Sequence, residues 1–286
     1  MQRSVEAHLD DVLSGVVALQ AFDLALLDAR GCRLASDVLA PVALPAFSSA
    51  SCEGYAVRVH DVIGATAEHP ARLLVVDAVE PGSRPRRAVV PGAAVRVRLG
   101  AALPEGTEAV VPAEFAAQVG EHVDLIEPVT SGAHIRHEGA ELAKDGLLLP
   151  HGARIDARRI ALLGAAGIGR VHAHPRPRVV IITVGDELVE PGVPLLPGTV
   201  SDSNGVMLSA LVQQLGAVAY RVGPVADDAE VLEQVLTDQL VRADLIVVAG
   251  GMSASSYETV LDVANRLGTM EIHRIAMQPG TAQGFG

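Results

Sequence analysis

Residues 179–188 read Val179-Val180-Ile181-Ile182-Thr183-Val184-Gly185-Asp186-Glu187-Leu188. The run Val179–Thr183 is apolar or β-branched throughout, and a glycine and two acids follow it. That is the pattern of a strand buried on both faces that opens into a polar turn. The chain then alternates. Asn204–Leu215 has helical spacing and stops at Gly216, Val218–Val222 is a strand, and Asp228–Val241 is a helix. Leu245–Ala249 is a strand closed by Gly250-Gly251, and Tyr257–Arg266 is a helix ending at Gly268. Strands alternating with helices build a parallel sheet with helices on its faces.

Working outward from that stretch, residues 52–133 change character. Short apolar runs recur at Tyr55–Val59, Leu73–Val76, Ala94–Leu99, Ala109–Val111 and Val123–Ile126. Gly64, Pro81-Gly82, Pro91-Gly92, Pro104 and Gly106 punctuate them, which predicts a β-rich module. Around it the chain is helical or extended. Ser4 caps a helix carrying Val5, Leu9, Val12, Leu13, Val16 and Val17, and a short helix is expected over Leu24–Ala29. Pro41 and Pro45 keep 37–47 extended, and Asp156 caps a helix through Leu163. The basic, proline-broken stretch His172–Arg178 reads as a domain boundary. The expected fold class is therefore multi-domain, α/β plus β, without internal repeats.

Composition removes several functions. The 286 residues carry a net charge of −12, which opposes non-specific nucleic-acid binding. Aromatics are only 2%, too few for base-stacking platforms. Two cysteines, Cys32 and Cys52, point to a reducing compartment, so a cytoplasmic location is expected. The longest apolar stretches fall far short of the ~18 residues of a membrane span. Met1–Asp10 has charges and no apolar core, so no signal peptide is expected.

In an open parallel sheet, ligands bind beyond the carboxyl ends of the strands. Gly185-Asp186-Glu187, Asp227-Asp228 and the loop Gly250–Glu258 fall there. Gly250 and Gly251 allow close backbone approach, and Ser253, Ser255 and Ser256 precede a helix N-terminus, which suits a phosphate or oxyanion. Taken alone, the loop is better described as a serine-capped strand-to-helix turn with no ligand. Glu187, Asp228 and Glu258 together suit a hard cation such as Mg2+, though singly each reads as a solvated or helix-first-turn acid. Neither His172 with His174 nor His134 with His137 has a zinc pattern, and Gly164–Gly169 follows a helix, not a strand, which excludes a nucleotide loop.

Taken in order, these segments resemble the molybdopterin molybdenumtransferase family, which includes the catalytic domain of gephyrin. The series runs Pro45-Ala46-Phe47, Glu53-Gly54-Tyr55-Ala56-Val57-Arg58, Gly100 with Pro104–Val111, and Ile135-Arg136 with Gly139, Glu141 and Gly152. It continues through Gly185-Asp186-Glu187-Leu188, Asp202-Ser203-Asn204, Asp227-Asp228, Gly250-Gly251-Met252-Ser253, and Pro279-Gly280 with Gln283–Gly286. Each motif is weak alone; nine in family order are specific.

The resemblance implies insertion of molybdate into adenylylated molybdopterin with Mg2+, releasing AMP. It implies an elongated homodimer working with the molybdopterin adenylylating enzyme. It assigns 1–45 and 134–177 to one discontinuous domain, 46–133 to an inserted β-rich domain, and 178–286 to a molybdopterin-binding α/β domain. The family's C-terminal β-barrel is expected to be absent. By the resemblance, Glu53, Glu141, Glu187, Asp228 and Glu258 would be catalytic, with Glu187, Asp228 and Glu258 on the metal. Gly185, Asp186, Asp202, Ser203, Asn204, Gly250, Gly251, Ser253, Pro279 and Gly280 would hold the pterin ligand. The chain also departs from the pattern. Glu53, Glu141 and Glu258 stand where the family usually has Asp, and Leu99 and Val184 replace threonines. Gln278-Pro279-Gly280-Thr281 replaces Lys-Pro-Gly-Lys, removing two cations. These changes raise an alternative: a catalytically degenerate, gephyrin-like scaffold that binds a protein partner.

Overall fold

The apolar run at 179 forms a strand, Arg178–Val184, buried at every position after the first. The computed structural model describes residues 2–250, 254–268 and 270–286, without the side chains of 254–258. Arg178–Val184 is the central strand of a three-stranded sheet, with Val218–Val225 on one side and Leu245–Gly250 on the other. Both pairings are parallel. Helices Ser203–Gln214, Ala229–Leu240 and Ala254–Leu267 make the crossovers and the covering layers. Val180, Ile182 and Val184 pack with Leu232, Leu236 and Val263. Each such fully buried Val, Leu or Ile is worth about 1.5–3 kcal/mol, so this strand anchors the unit.

At the start of the sheet, the Arg178 guanidinium grips both oxygens of Asp244 at 2.9 and 3.1 Å. Those hydrogen bonds hold the Asp244 carboxyl below its usual range. At the opposite end the chains converge closely. Gly250 sits at φ +105, and a Cβ there would lie 2.2 Å from the Val184 carbonyl oxygen. Only glycine fits that approach.

The first helix, Val5–Ser14, is capped as expected, with the Ala7 N–H donating to the Ser4 hydroxyl. Its entry strand is tied to the far end of the chain. The Arg3 N–H donates to the Arg274 carbonyl and the Ala276 N–H to the Arg3 carbonyl, each at 2.8 Å. By its contacts, Met1–Leu24 groups with Gly31–Ala35 and His172–Gly286.

The second compact unit comprises Ala25–Arg30 and Ser36–Val171. Its six-stranded sheet runs Ala109–Pro112, Gly54–Val57, Ala93–Val97, Ala71–Val79, His122–Leu125, Ala116–Val119. All neighbours are antiparallel except Ala71–Val79 with Ala93–Val97. Both faces carry buried layers, one with Val57, Val111 and Leu125, the other with Val95, Val97 and Val110. Every expected strand run is present, and Ala116–Val119 adds one more. The helix Ala157–Ala165 starts at Asp156, whose carboxylate accepts from the Arg159 N–H.

One local expectation is corrected. Leu24–Ala29 is no helix: Phe22–Ala25 is a strand, and a single turn follows, with the Ala29 N–H on the Ala25 carbonyl. So short a segment cannot repay helix nucleation, and Gly31 at φ +85 ends it. The boundary expected at His172–Arg178 falls where the two compact units divide, between Val171 and His172, although Arg170–His174 is itself a strand. Ala173 and His174 pair with Leu34 and Arg33. Among the described residues, no helix is long and apolar enough to cross a membrane.

Candidate functional site

The polar turns gather at the carboxyl ends of the parallel strands. The central strand leaves the sheet at Gly185 and runs through Asp186 and Glu187 into Leu188–Val189, which pairs in parallel with Val200–Ser201. The Val200 N–H donates to the Glu187 carbonyl at 2.8 Å and the Asp202 N–H to the Val189 carbonyl at 2.9 Å. Asp186 Oδ1 accepts from the Asp227 N–H at 3.0 Å, tying this turn to the segment after the neighbouring strand. The Glu187 carboxylate folds back over Gly185, 2.6–2.9 Å from where a Cβ would stand. It is exposed, and among the described residues it has no hydrogen-bond or salt-bridge partner.

Asp228 has a structural task. Its Oδ1 accepts from the Glu230 and Val231 N–H groups at 2.9 and 3.0 Å, capping Ala229–Leu240. Beside it, Asp227 Oδ1 is buried without a partner.

Asp202 is turned inward. It is 1% exposed and accepts from the Thr183 hydroxyl at 2.7 Å, the Gly205 N–H at 2.9 Å and Arg221 Nη2 at 2.8 Å. Burial pushes its carboxyl up, but the Gly205 N–H, Arg221 and Thr183 outweigh it and hold the group below its ordinary value. Arg221 continues the chain of contacts, with Nη1 on Glu190 Oε2 at 2.8 Å. The two carboxylates raise the Arg221 pKa. Gly205 makes the arrangement possible, because a Cβ there would lie 2.5 Å from both Arg221 Nε and Asp202 Oδ2.

The remaining expected residues divide. Ser203 and Asn204 are exposed in the first turn of Ser203–Gln214. Gly250 is explained by its approach to Val184, with no ligand required. Gly251 and Ser253 lie outside the described residues, as does the Glu258 side chain. Pro279 and Gly280 lie in the turn joining Glu271–Arg274 to Ala282–Phe285, where Gln283 donates to the Gly280 carbonyl at 3.1 Å. In the other unit, Glu53 is paired with Arg98 at 3.0 Å and Arg96 at 3.6 Å, and Glu141 with Arg136.

Among the described residues, no three acids, histidines or cysteines converge to hold a metal ion. The donor chemistry at the strand ends is still that of a hard cation, with the Glu187 carboxylate unpaired. A cleft of about 310 Å3 between the first helix and the last hairpin contains none of the expected site residues.

Arg221 and Glu190 were missed from sequence. The signal was an arginine inside the apolar run at 218–222, where a charge needs a buried partner.

Two family descriptions match the chain. One is the MoeA N-terminal region (domain I and II), over residues 3–167; the other is a probable molybdopterin binding domain, over residues 180–286. The chain belongs to the MoeA, or molybdopterin molybdenumtransferase, family. It is 36% identical to molybdopterin molybdenumtransferase 2 of Mycobacterium tuberculosis, covering 99% of this chain and 72% of that one. It is 30% identical to the molybdopterin molybdenumtransferase of Bacillus subtilis, over 90% of this chain and 61% of the relative. A crystal structure of a molybdopterin biosynthesis MoeA protein from Pyrococcus horikoshii superposes with a TM-score of 0.81 at 30% identity, covering 98% of this chain and 71% of that one.

Proposed function

We propose that this protein acts in molybdenum cofactor biosynthesis, inserting molybdate into adenylylated molybdopterin with release of AMP. The observation that carries the reading is the exposed, unpaired Glu187 carboxylate in the turn that Asp186 ties to the Asp227 amide, at the carboxyl ends of a parallel sheet in a chain of this family. Asp186 orders the turn. Ser203 and Asn204 offer polar groups at a helix N-terminus, a location suited to a phosphate. Glu187 and Asp228, with Glu258, are the residues we propose for Mg2+. When bound, that ion would neutralise phosphate and molybdate oxygens as the adenylate is hydrolysed.

Glu53 and Glu141, each paired with arginine, are assigned electrostatic roles in this reading. Gly185, Gly250, Gly251, Ser253, Pro279 and Gly280 complete the proposed ligand set, with Asp202 acting behind it. A homodimer, an adenylylating partner enzyme and a cytoplasmic location belong to the same proposal. Cys32 and Cys52 are not joined in a disulfide, which suits a reducing compartment. The scaffold alternative is not favoured, because the relatives carry the transferase name.

The test is AMP release from adenylylated molybdopterin with molybdate and Mg2+. Release that depends on molybdate supports the reading. No binding at high micromolar ligand overturns it.

A further inference from the structure

We propose that Arg221 is a positioning residue, acting through Asp202 and Glu190 to hold the Gly185–Glu190 turn against the end of the central strand. This rests on the proposed function only for its catalytic consequence. The guanidinium lies on Val218–Val225 and reaches two carboxylates at once, each at 2.8 Å. Asp202 joins it to the buried Thr183 hydroxyl and to the first turn of Ser203–Gln214. Glu190 is the only one of the four that belongs to the turn itself, five residues after Gly185. The turn's other ties are backbone ones, from the amides of Gly185 to the Val225 carbonyl, Leu188 to Gly185, Val193 to Glu190, and Val200 and Asp202 to Glu187 and Val189, with Asp186 accepting from the Asp227 amide. Among the described residues, none but Glu190 joins the turn to a charged side chain.

The two acids differ in burial. Asp202 is 1% exposed, whereas the Glu190 side chain is 47% exposed. Asp202 is therefore the fixed end and Glu190 the releasable one. Lysine at 221 would keep the charge but lack the planar fork that spans both partners. Glu187 stands inside the held segment, so loosening it moves the proposed catalytic carboxylate without touching it. A misplacement of one ångström at such a group costs up to ~100-fold in rate.

The test compares Glu190→Ala and Arg221→Lys with the wild-type chain. Hydrogen exchange at the Val200 and Asp202 amides is read first. Both should quicken by about fivefold in Glu190→Ala, the ratio that an exposed ion pair supports, with Val179–Ile182 unchanged. AMP release is read second. Glu190→Ala should lower kcat with little change in KM, and Glu190→Gln, which keeps an acceptor for Arg221, should recover part of the loss. Unchanged exchange at Val200 and Asp202 overturns the proposal, whether or not the protein turns over. So does faster exchange with unchanged kcat in an active wild type. A wild type that releases no AMP overturns the proposed function instead, and the exchange result then decides the positioning role alone.

Discussion

Replacing Asp202 by alanine removes three interactions at once, and the structure sets the size of each. The Gly205 N–H loses its cap, worth about 1 kcal/mol. The Thr183 hydroxyl, 1% exposed, loses its acceptor and stays buried, which costs about another 1 kcal/mol. Arg221 keeps Glu190 and is 22% exposed, so losing the Asp202 pair costs only about 1 kcal/mol, well below a fully buried pair. The expected destabilisation at pH 7 is about 3 kcal/mol. Its pH dependence follows from the direction of the shift. The folded-state carboxyl is held below its ordinary value, so its contribution is complete above an unfolded pKa of about 3.9 and is lost as pH falls through the lower folded value. Urea unfolding by circular dichroism, with hydrogen exchange at Val179–Ile182 to isolate this unit, measures the gap between wild type and Asp202→Ala. A gap below ~1 kcal/mol at pH 7 would show that the carboxylate does not organise these strand ends. A gap that already closes at pH 5 would refute the direction of the shift.

Four further outcomes follow from the same geometry. Gly205→Ala, normally stabilising in a helix, should here destabilise by about 1–3 kcal/mol in urea titration, because the new methyl meets Arg221 and Asp202 at 2.5 Å. Asp228→Asn should keep the helix cap and stability to within about 0.5 kcal/mol, whereas Asp228→Ala should lose about 1 kcal/mol. On the proposed function both should cut AMP release, so an active Asn variant would leave Asp228 with the cap alone. Glu187→Gln, exposed and unpaired, should leave the unfolding midpoint unchanged while AMP release falls about 100-fold. Chelating Mg2+ should weaken binding of the adenylylated pterin in titration calorimetry, and equal affinity in EDTA would remove the metal from the reading.

Much of the fold was legible because it depends on local pattern. Val179–Thr183 could not be anything but a buried strand, and Ser4, Asp156 and Asp228 each cap the helix that their position announces. What escaped depends on partners distant in sequence. Glu53 meets Arg96 and Arg98 because Gly54 registers with Val97 across the sheet, and a register is not written in either strand alone. The first helix joins the α/β unit through Arg3 and Ile275, some 270 residues apart, so composition had no bearing on its grouping. Asp202 reads as a ligand residue only by the family resemblance. Its inward turn follows from Arg221, which the apolar pattern of 218–222 concealed.

The same network sharpens the question of charge. A protein of net charge −12 that handles a pterin phosphate and molybdate needs cations where they bind. Two positions where the family usually has lysine are Gln278 and Thr281 here. Arg221 lies midway along Val218–Val225, level with Ile181, and both Nη groups of its guanidinium are committed to Asp202 and Glu190. The groups left at the rim are Asp186, Glu187, Asp227 and Asp228. Four carboxylates repel an anion unless something positive intervenes. Arg221 thus organises the acids but cannot neutralise the ligand. On the proposed function, a hard cation at Glu187 and Asp228 is therefore a requirement for anion binding as well as an aid to the chemistry.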